Sequence, residues 1–353
     1  MRRVDVIRSA AVTAIAAGLL VSLVTAAGAA ERVKWKMQSA FGSKLSIIGE
    51  VAHRYEGLID QLSGGEVKIK FFEPGALIPP LECFDSVAKG AIESCWTTAG
   101  YHTGKIPALA WFSAVPFGPE MGEYFAWLNY GGGDEIYHSI YKEHSLKALH
   151  AASIAPESSG WFRSQITSVD QLKGMKMRFF GLGARVMTKL GVSTQLLAAA
   201  DIYPALERGV IDATEFSMPS IDLDLGFYQI AKYNYYPGWH QQASIAELLM
   251  NEAQWNALSA QQQAWIETGA RDSIYWSYVR SEALQFKAMQ ELQKKGVTLV
   301  RWSDEFLDAY RAKWEEVIAE ESAKDPLFAK TYESYKSFRD QYKIWLDNGY
   351  LRK

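Results

Sequence analysis

Two facing α/β lobes are the fold this sequence predicts, and three observations carry it. Segments that alternate like strands interleave with segments of helical period, which argues for α/β layering with a largely parallel sheet. One helix–glycine–strand construction occurs twice, so two halves share one plan and would enclose a cleft between them. The last third of the chain is patterned as helix almost throughout. With 353 residues, 48% of them apolar, and a net charge of −3, the chain can bury a core over one or two domains. So balanced a charge offers nucleic acid no electrostatic footprint, and no basic block interleaved with aromatics occurs.

Residues 1–30 differ in kind from the rest. Arg2, Arg3 and Arg8 precede an apolar run over 10–24, followed by Ala26, Ala27, Gly28, Ala29 and Ala30. That is the pattern of an export signal cleaved near Ala29 or Ala30, and no later segment is apolar enough to cross a bilayer. Residues 33–38 (VKWKMQ) alternate as a strand, 43–62 read as an amphipathic helix and 67–72 (VKIKFF) as a second strand. The repeated construction follows. Residues 81–96 read as helix, then Lys89-Gly90-Ala91-Ile92-Glu93, then strand; residues 202–216 read as helix, then Arg208-Gly209-Val210-Ile211-Asp212, then strand. In each copy the glycine falls where a left-handed helix cap belongs, after a cation that suits the end of the helix dipole. The strand tips Thr97, Thr98, Glu215 and Phe216 then point into the cleft.

Residues 255–295 carry long amphipathic stretches, 297–302 (VTLVRW) read as a strand, and Ser303 is placed to cap the next helix. In the final helix Phe328, Tyr332, Tyr335, Phe338, Tyr342 and Trp345 recur at three- and four-residue steps as one aromatic ridge. Such a ridge packs on its own domain or docks on a second subunit. The two cysteines, Cys83 and Cys95, share one helix-to-strand unit, as a disulfide or as two buried thiols. Neither has a close second ligand, and the six histidines (His53, His102, His138, His144, His150 and His240) show no paired ligand spacing, so a zinc site is not indicated.

Enzyme signatures are missing from the sequence. Gly181, Gly183 and Val186 imitate a dinucleotide fingerprint but put valine where its third glycine is required. There is no G-x-S-x-G elbow, no P-loop and no H-E-x-x-H, and no carboxylate pair has a spacing that marks acid and base. What stands out is Arg178, at the end of an apolar strand before Gly181 and a helix N-terminus. A guanidinium stays charged when buried and needs an anion. The anion is either an acidic neighbour such as Asp201 or Glu207, or the carboxylate of a ligand. Glu215, at the tip of another apolar strand, poses the converse problem and wants a metal ion, an arginine or a ligand amine.

The motifs PGALIPPLECFDSVAKGAIE (74–93), AVPFG (114–118), WLNYGGG (127–133), GWFR (160–163), LKGMKMR (172–178), GLG (181–183), IYPALERGVIDATE (202–215) and YYPGWH (235–240) occur in this order through almost the whole mature chain. In that order the sequence resembles the periplasmic solute-binding subunits of tripartite ATP-independent periplasmic (TRAP) transporters, in the branch that binds 2-oxo acids and related monocarboxylates. The resemblance implies a two-lobe periplasmic binding protein fold with long connecting helices and a C-terminal helical extension, and a function of delivering a small organic acid to a membrane permease rather than catalysis. The expected division is lobe I over 31–150 with 243–295 returning to it, lobe II over 151–242 with 296–325, and the C-terminal helix over 326–353 as a homodimer contact.

Arg178 is then the carboxylate clamp, expected in the cleft without an internal counter-ion. In this branch a cation, as a rule sodium, bridges protein and ligand; sodium or calcium is expected here. Its ligands, carried over by position, are Glu157, where the family has glutamine, Glu215, and Phe216, where the family has tryptophan and uses the backbone carbonyl. The chain also departs from the family at Met218-Pro219 and over 198–201. Two carboxylates stand where the family has one, so they are expected to hold a metal ion, with a divalent one suiting the clustered oxygens, or the ammonium of a zwitterionic ligand. Trp96, Tyr101, Phe179 and Trp239, with Phe41, Trp161 and Phe216, are the aromatics near the expected pocket. A sulfonate or amino-acid-like ligand on the same scaffold is the alternative within this class, and an exported hydrolase or lyase the alternative outside it.

Overall fold

The computed structural model describes residues 32–351. The export signal expected over 1–30 lies outside the described residues. The chain opens with β1 (Val33–Ser39), whose lysines alternate with buried Trp35 and Met37. Next comes α1 (Ile48–Leu62), which buries Val51, Tyr55 and Ile59 along one face. This helix starts later than its apolar pattern suggests, because residues 43–46 are held in turns, with the Ser43 N–H donating to Glu73. After β2 (Val67–Phe72) come α2 (Cys83–Ala88), β3 (Ser94–Thr97), α3 (Met121–Tyr130), α4 (Gly133–Lys142) and β4 (Leu146–Ile154).

The chain then crosses to a second sheet. There it forms β5 (Gly160–Phe162), β6 (Lys176–Arg178), α5 (Gly181–Lys189), β7 (Ser193–Gln195), α6 (Ala199–Glu207), β8 (Ala213–Thr214), α7 (Pro219–Leu225) and β9 (Tyr233–Tyr236). It crosses back as β10 (Ser244–Asn251), and α8 (Glu252–Asn256) leads into α9 (Ala260–Lys294). The strand β11 (Thr298–Arg301) rejoins the second sheet, and α10 (Asp304–Lys324) and α11 (Pro326–Gly349) follow.

The first sheet has strand order β2-β1-β3-β10-β4, the second β11-β9-β5-β8-β6-β7. Both are mixed, which corrects the largely parallel sheet expected from the strand–helix alternation. The reason is topological. In each sheet the strand that enters from the other one, β10 in the first and β5 in the second, runs antiparallel to both of its neighbours. The remaining pairings are parallel.

The repeated construction is present in both halves, with Gly90 and Gly209 each at φ 71°, a left-handed conformation that only glycine adopts without strain. Cys83 and Cys95 are joined in a disulfide, Cα–Cα 5.8 Å, fastening the first copy. The 35-residue α9, about 50 Å long at 1.5 Å per residue, packs on α1 and β4 beside the first sheet and on α7 beside the second. Its buried face is a stripe of small residues, Gly269, Ser273, Ser277 and Ser281, which lets it lie close to β4; the Ser277 hydroxyl accepts the Ser153 N–H at 2.8 Å. The first half of the aromatic ridge on α11 packs within the chain: Phe328, Tyr332 and Tyr335 surround Trp111 with ring centroids 5.0–5.2 Å away. Its far end is uncovered in the single chain, with Ile344 74% and Trp345 56% exposed.

Candidate ligand-binding site

The site is built on the two segments where the chain changes sheets and on two strand tips beside them. The β4–β5 crossing carries Glu157, and the β9–β10 crossing carries His240 and Gln241. The two crossings touch: the Glu157 N–H donates to the Gln241 carbonyl at 3.3 Å, and a side chain at Gly238 would collide with the Glu157 carbonyl, its Cβ falling 2.3 Å away. Neighbouring strands β6 and β8 pair in parallel with Arg178 opposite Thr214, and this register sets Arg178 beside Glu215.

Arg178 and Glu215 answer one another, which corrects the expectation that the guanidinium has no internal counter-ion. Arg178 is 1% exposed and Glu215 fully buried. Nη1 donates to Glu215 Oε2 at 3.0 Å and to the Glu215 carbonyl at 2.8 Å, while Nε donates to the Leu197 carbonyl at 3.3 Å. Neither Asp201 nor Glu207 takes part; both are exposed. The Phe180 N–H donates to the other Glu215 oxygen. These bonds commit Nε and Nη1 within the protein, and the guanidinium also interacts with the Tyr101 hydroxyl at the cavity wall. Phe216 and Phe180 hold the guanidinium between their rings, with centroids 5.1 and 5.9 Å from Cζ.

Arg178, Tyr101, Phe180 and Phe216 line a cavity of about 30 Å³. Glu157, Arg178, Ser217 and Gln241 form its polar wall; Phe41, Ile48, Tyr101, Ile154, Phe180 and Phe216 form its apolar wall, with Thr98 and Ser244 at its side. A single water needs some 10–15 Å³, so a ligand of a few non-hydrogen atoms fits here and a sugar does not. Glu157 is the surplus acid of the site. Burial pushes its carboxyl up to about 8, opposed by Ser217, Arg178 and Gln241. Burial also raises Glu215 against the pull of Arg178 and His240, and lowers the fully buried His240. Beneath them Asp222 accepts from Trp161 Nε1 at 2.7 Å, the Ser158 hydroxyl at 3.1 Å and the Ser217 N–H at 3.1 Å, and so fixes the Ser217 loop.

One carboxylate oxygen each of Glu157 and Glu215 and one ring nitrogen of His240 lie within 4.8 Å of one another, a donor set that fits a cation. Of the residues expected at the pocket, Glu157, Arg178, Phe41, Tyr101 and Phe216 line it, and Glu215 stands directly behind. Four others do not line it, among them Trp161, whose indole N–H is taken by Asp222. Phe179 faces away because neighbours along an extended chain alternate sides, and it packs on His240 at 5.1 Å and Trp239 at 6.0 Å. Trp239 stacks on Tyr310 at 4.7 Å, and Trp96 lies deeper, against Tyr55 at 5.4 Å. Sequence reasoning missed the roles of His240, Gln241, Ser217 and Asp222; the position of His240 and Gln241 just before the returning strand was the available signal.

A small polar chamber, set where two sheets exchange strands, lined by an arginine and one acidic side chain with a second carboxylate behind them, defines a receptor for a small anion. The chain belongs to the bacterial extracellular solute-binding proteins, family 7 (DctP), whose model matches residues 39–325. It is 34% identical over 350 residues, 98% of this chain and 96% of the relative, to a monocarboxylate 2-oxoacid-binding periplasmic protein of Nostoc sp.. Two crystal structures superpose closely. One is a TRAP transporter solute-binding protein of Bordetella bronchiseptica, a mixed-occupancy dimer with calcium and picolinate (30% identity, TM-score 0.87, covering 90% of this chain and 94% of that one). The other is a TRAP periplasmic solute-binding protein of Pseudoalteromonas atlantica with sodium and pyruvate (30% identity, TM-score 0.85, covering 89% and 96%). Among the described residues no helix is long and apolar enough to cross a membrane.

Proposed function

We propose that this protein captures a small monocarboxylate of the 2-oxo acid class together with a cation and presents it to a TRAP membrane permease. The observation that carries the reading is the wholly buried Arg178, which lines a cavity of about 30 Å³ beside Glu157, a buried acid that forms no ion pair with a lysine or arginine among the described residues. The ligand carboxylate takes the Nη2 edge of Arg178, and the phenyl rings and Tyr101 exclude water, which strengthens that ion pair. Glu157, Glu215 and the Phe216 carbonyl would hold the cation, which when bound supplies a positive anchor for a ligand oxygen. With Glu157 and Glu215 both ionised, Arg178, one monocarboxylate and a dication bring the buried charge to zero. A monovalent ion balances it only when Glu157 is protonated.

Delivery requires the site to open. In this reading the segments 31–150 with 243–295 form one lobe and 151–242 with 296–325 the other, and they close over the ligand about the crossings. Residues 1–30 direct export to the periplasm and are removed near Ala29 or Ala30, and the exposed end of α11 pairs two copies. A zwitterionic amino-acid-like ligand is the second reading, favoured by Glu157, which would receive its ammonium.

A thermal-shift screen decides between them. Pyruvate, 2-oxobutyrate and lactate, alanine, succinate and methanesulfonate are tested on purified protein with and without chelator. The proposal expects ligand-specific stabilisation by the 2-oxo acids that chelation abolishes. Stabilisation by alanine that survives chelation supports the zwitterion instead, and stabilisation by no acid under any cation overturns both.

A further inference from the structure

We infer that His240 is a protein ligand of the cation held by Glu157 and Glu215, and that its imidazole makes the site select a divalent transition cation of the zinc type over calcium or sodium. The inference deepens the proposed cation site and rests on it. His240 is fully buried, and neither of its ring nitrogens has a hydrogen-bond partner among the described residues. A buried imidazole in that condition is costly unless something outside the protein satisfies it. Its Nε2 lies 3.5 Å from Glu157 Oε2 and 3.9 Å from Glu215 Oε2. Those separations are too long for hydrogen bonds. They are close to the spacing of about 3.3–3.6 Å between neighbouring donors around a tetrahedral ion with 2.0–2.2 Å bonds.

The ring is also held in place. Phe179 packs edge-on against it at 5.1 Å and 74°, and Trp239 at 5.8 Å and 72°. Gly183 leaves the room it occupies, since a Cβ there would fall 2.9 Å from His240 Cβ. A ligand fixed by its surroundings loses little freedom on binding metal. Were the ring an imidazolium serving only as counter-ion to the two carboxylates, it would be expected to close at least one hydrogen bond to them, and it closes none.

The choice of ion follows from donor chemistry. Calcium, magnesium and sodium take oxygen donors, whereas neutral imidazole suits zinc and its neighbours in the first transition row. Carboxylate oxygen and imidazole nitrogen are both zinc donors, and a zinc site with three protein ligands keeps its fourth position open for an external ligand. Here that position would face the cavity and a ligand oxygen. No histidine spacing foretells this cluster, because its three members come from the two crossings and the tip of β8 and meet only in the fold.

The test uses the full mature protein stripped of metal, without organic acid, titrated calorimetrically with zinc, calcium and sodium chlorides and followed spectroscopically with cobalt(II). Zinc is expected to bind more than about tenfold tighter than calcium, and His240→Gln to lose at least about tenfold in zinc affinity while its calcium affinity stays within about threefold. The cobalt visible spectrum of the wild type should be that of a nitrogen-containing, low-coordinate site and should change in His240→Gln. Zinc binding no tighter than calcium, or equal zinc affinity in His240→Gln, overturns the inference. If the variant does not fold, the ring 15N shifts of the wild type decide: a zinc-induced shift of one ring nitrogen of His240 supports direct ligation, and its absence overturns it. Pyruvate binding with calcium but without zinc preference would sink this inference alone, whereas failure of every acid in the screen would sink the proposed function and leave the His240 result standing.

Discussion

Arg178 and Glu215 would each be intolerable alone at their depth, and together they are a scaffold on which the third charge, Glu157, acts. Replacing Arg178 by alanine therefore does more than remove a ligand contact. It leaves the Glu215 carboxylate buried without its cation, which typically destabilises a protein by about 3–5 kcal/mol. The double replacement Arg178→Met with Glu215→Gln should recover most of that stability while binding no acid. Urea unfolding and calorimetry read the two effects apart, and wild-type stability in Arg178→Ala would contradict the pairing.

A second residue-scale expectation concerns His138, whose imidazole burial and the nearby Lys147 hold down to about 4, from 6.5. Between these values the unfolded chain binds a proton that the folded chain refuses, so stability is full above pH 6.5 and declines as pH falls toward 4. Allowing for the ring's partial exposure, His138→Gln should remove a slope worth about 1–2 kcal/mol. An unchanged melting-temperature profile in the variant would refute it. The sequence marked Arg178 as an anion seeker from its place at a strand end. It could not name the partner, because Glu215 lies 37 residues on and only the strand order brings the two together. Phe179 was misassigned although alternation from Arg178 was enough to turn it outward.

The elements repeat this division between local and distant information. The helix–glycine–strand units, the late edge strand β11 and the amphipathic α1 were legible because their causes are local: a glycine at positive φ, alternation and a helical stripe. The antiparallel strands β5 and β10 were not, since direction depends on which sheet a strand enters from. Yet those entries make the site, each bringing one buried loop to the strand tips of its neighbours. One bond reaches between elements that flank different sheets: the Ser46 N–H ahead of α1 donates to Asp224 Oδ2 on α7 at 2.8 Å. If the lobes open about the crossings, this bond breaks on opening and stabilises the closed form alone. A partly exposed charge-assisted bond contributes about 1 kcal/mol, so Asp224→Ala should speed ligand release about three- to tenfold and leave the unliganded melting temperature nearly unchanged. Stopped-flow release kinetics check it; an unaltered off-rate removes the bond from the closing motion.

On the scale of the whole molecule, α9 and α11 do different work. α9 lies along both sheets on its small-residue face, so it can carry closure without being broken by it. α11 is anchored by Phe328 and Tyr335 against Trp111 and, further along, by the Arg339–Glu123 ion pair at 2.8 Å. Beyond that anchor Ile344, Trp345 and Tyr350 are each at least half exposed, and Leu351 is wholly so. Apolar side chains gathered at one exposed end are stabilised by a partner surface, at about 25 cal/mol for each Å² of apolar area covered. The proposed self-association should therefore depend on this end and not on the cavity, which lies among the crossings and shares no residue with α11. Replacing Ile344 and Trp345 together by glutamate should convert a dimer in light-scattering measurements to a monomer, with the melting temperature lowered only by the lost interface and organic-acid affinity within about twofold of wild type, because additivity holds for sites with no shared contacts. A wild-type protein that already runs as a monomer at micromolar concentration, or a double variant that stays dimeric, would move the interface elsewhere and leave the uncovered end of α11 without a role in assembly.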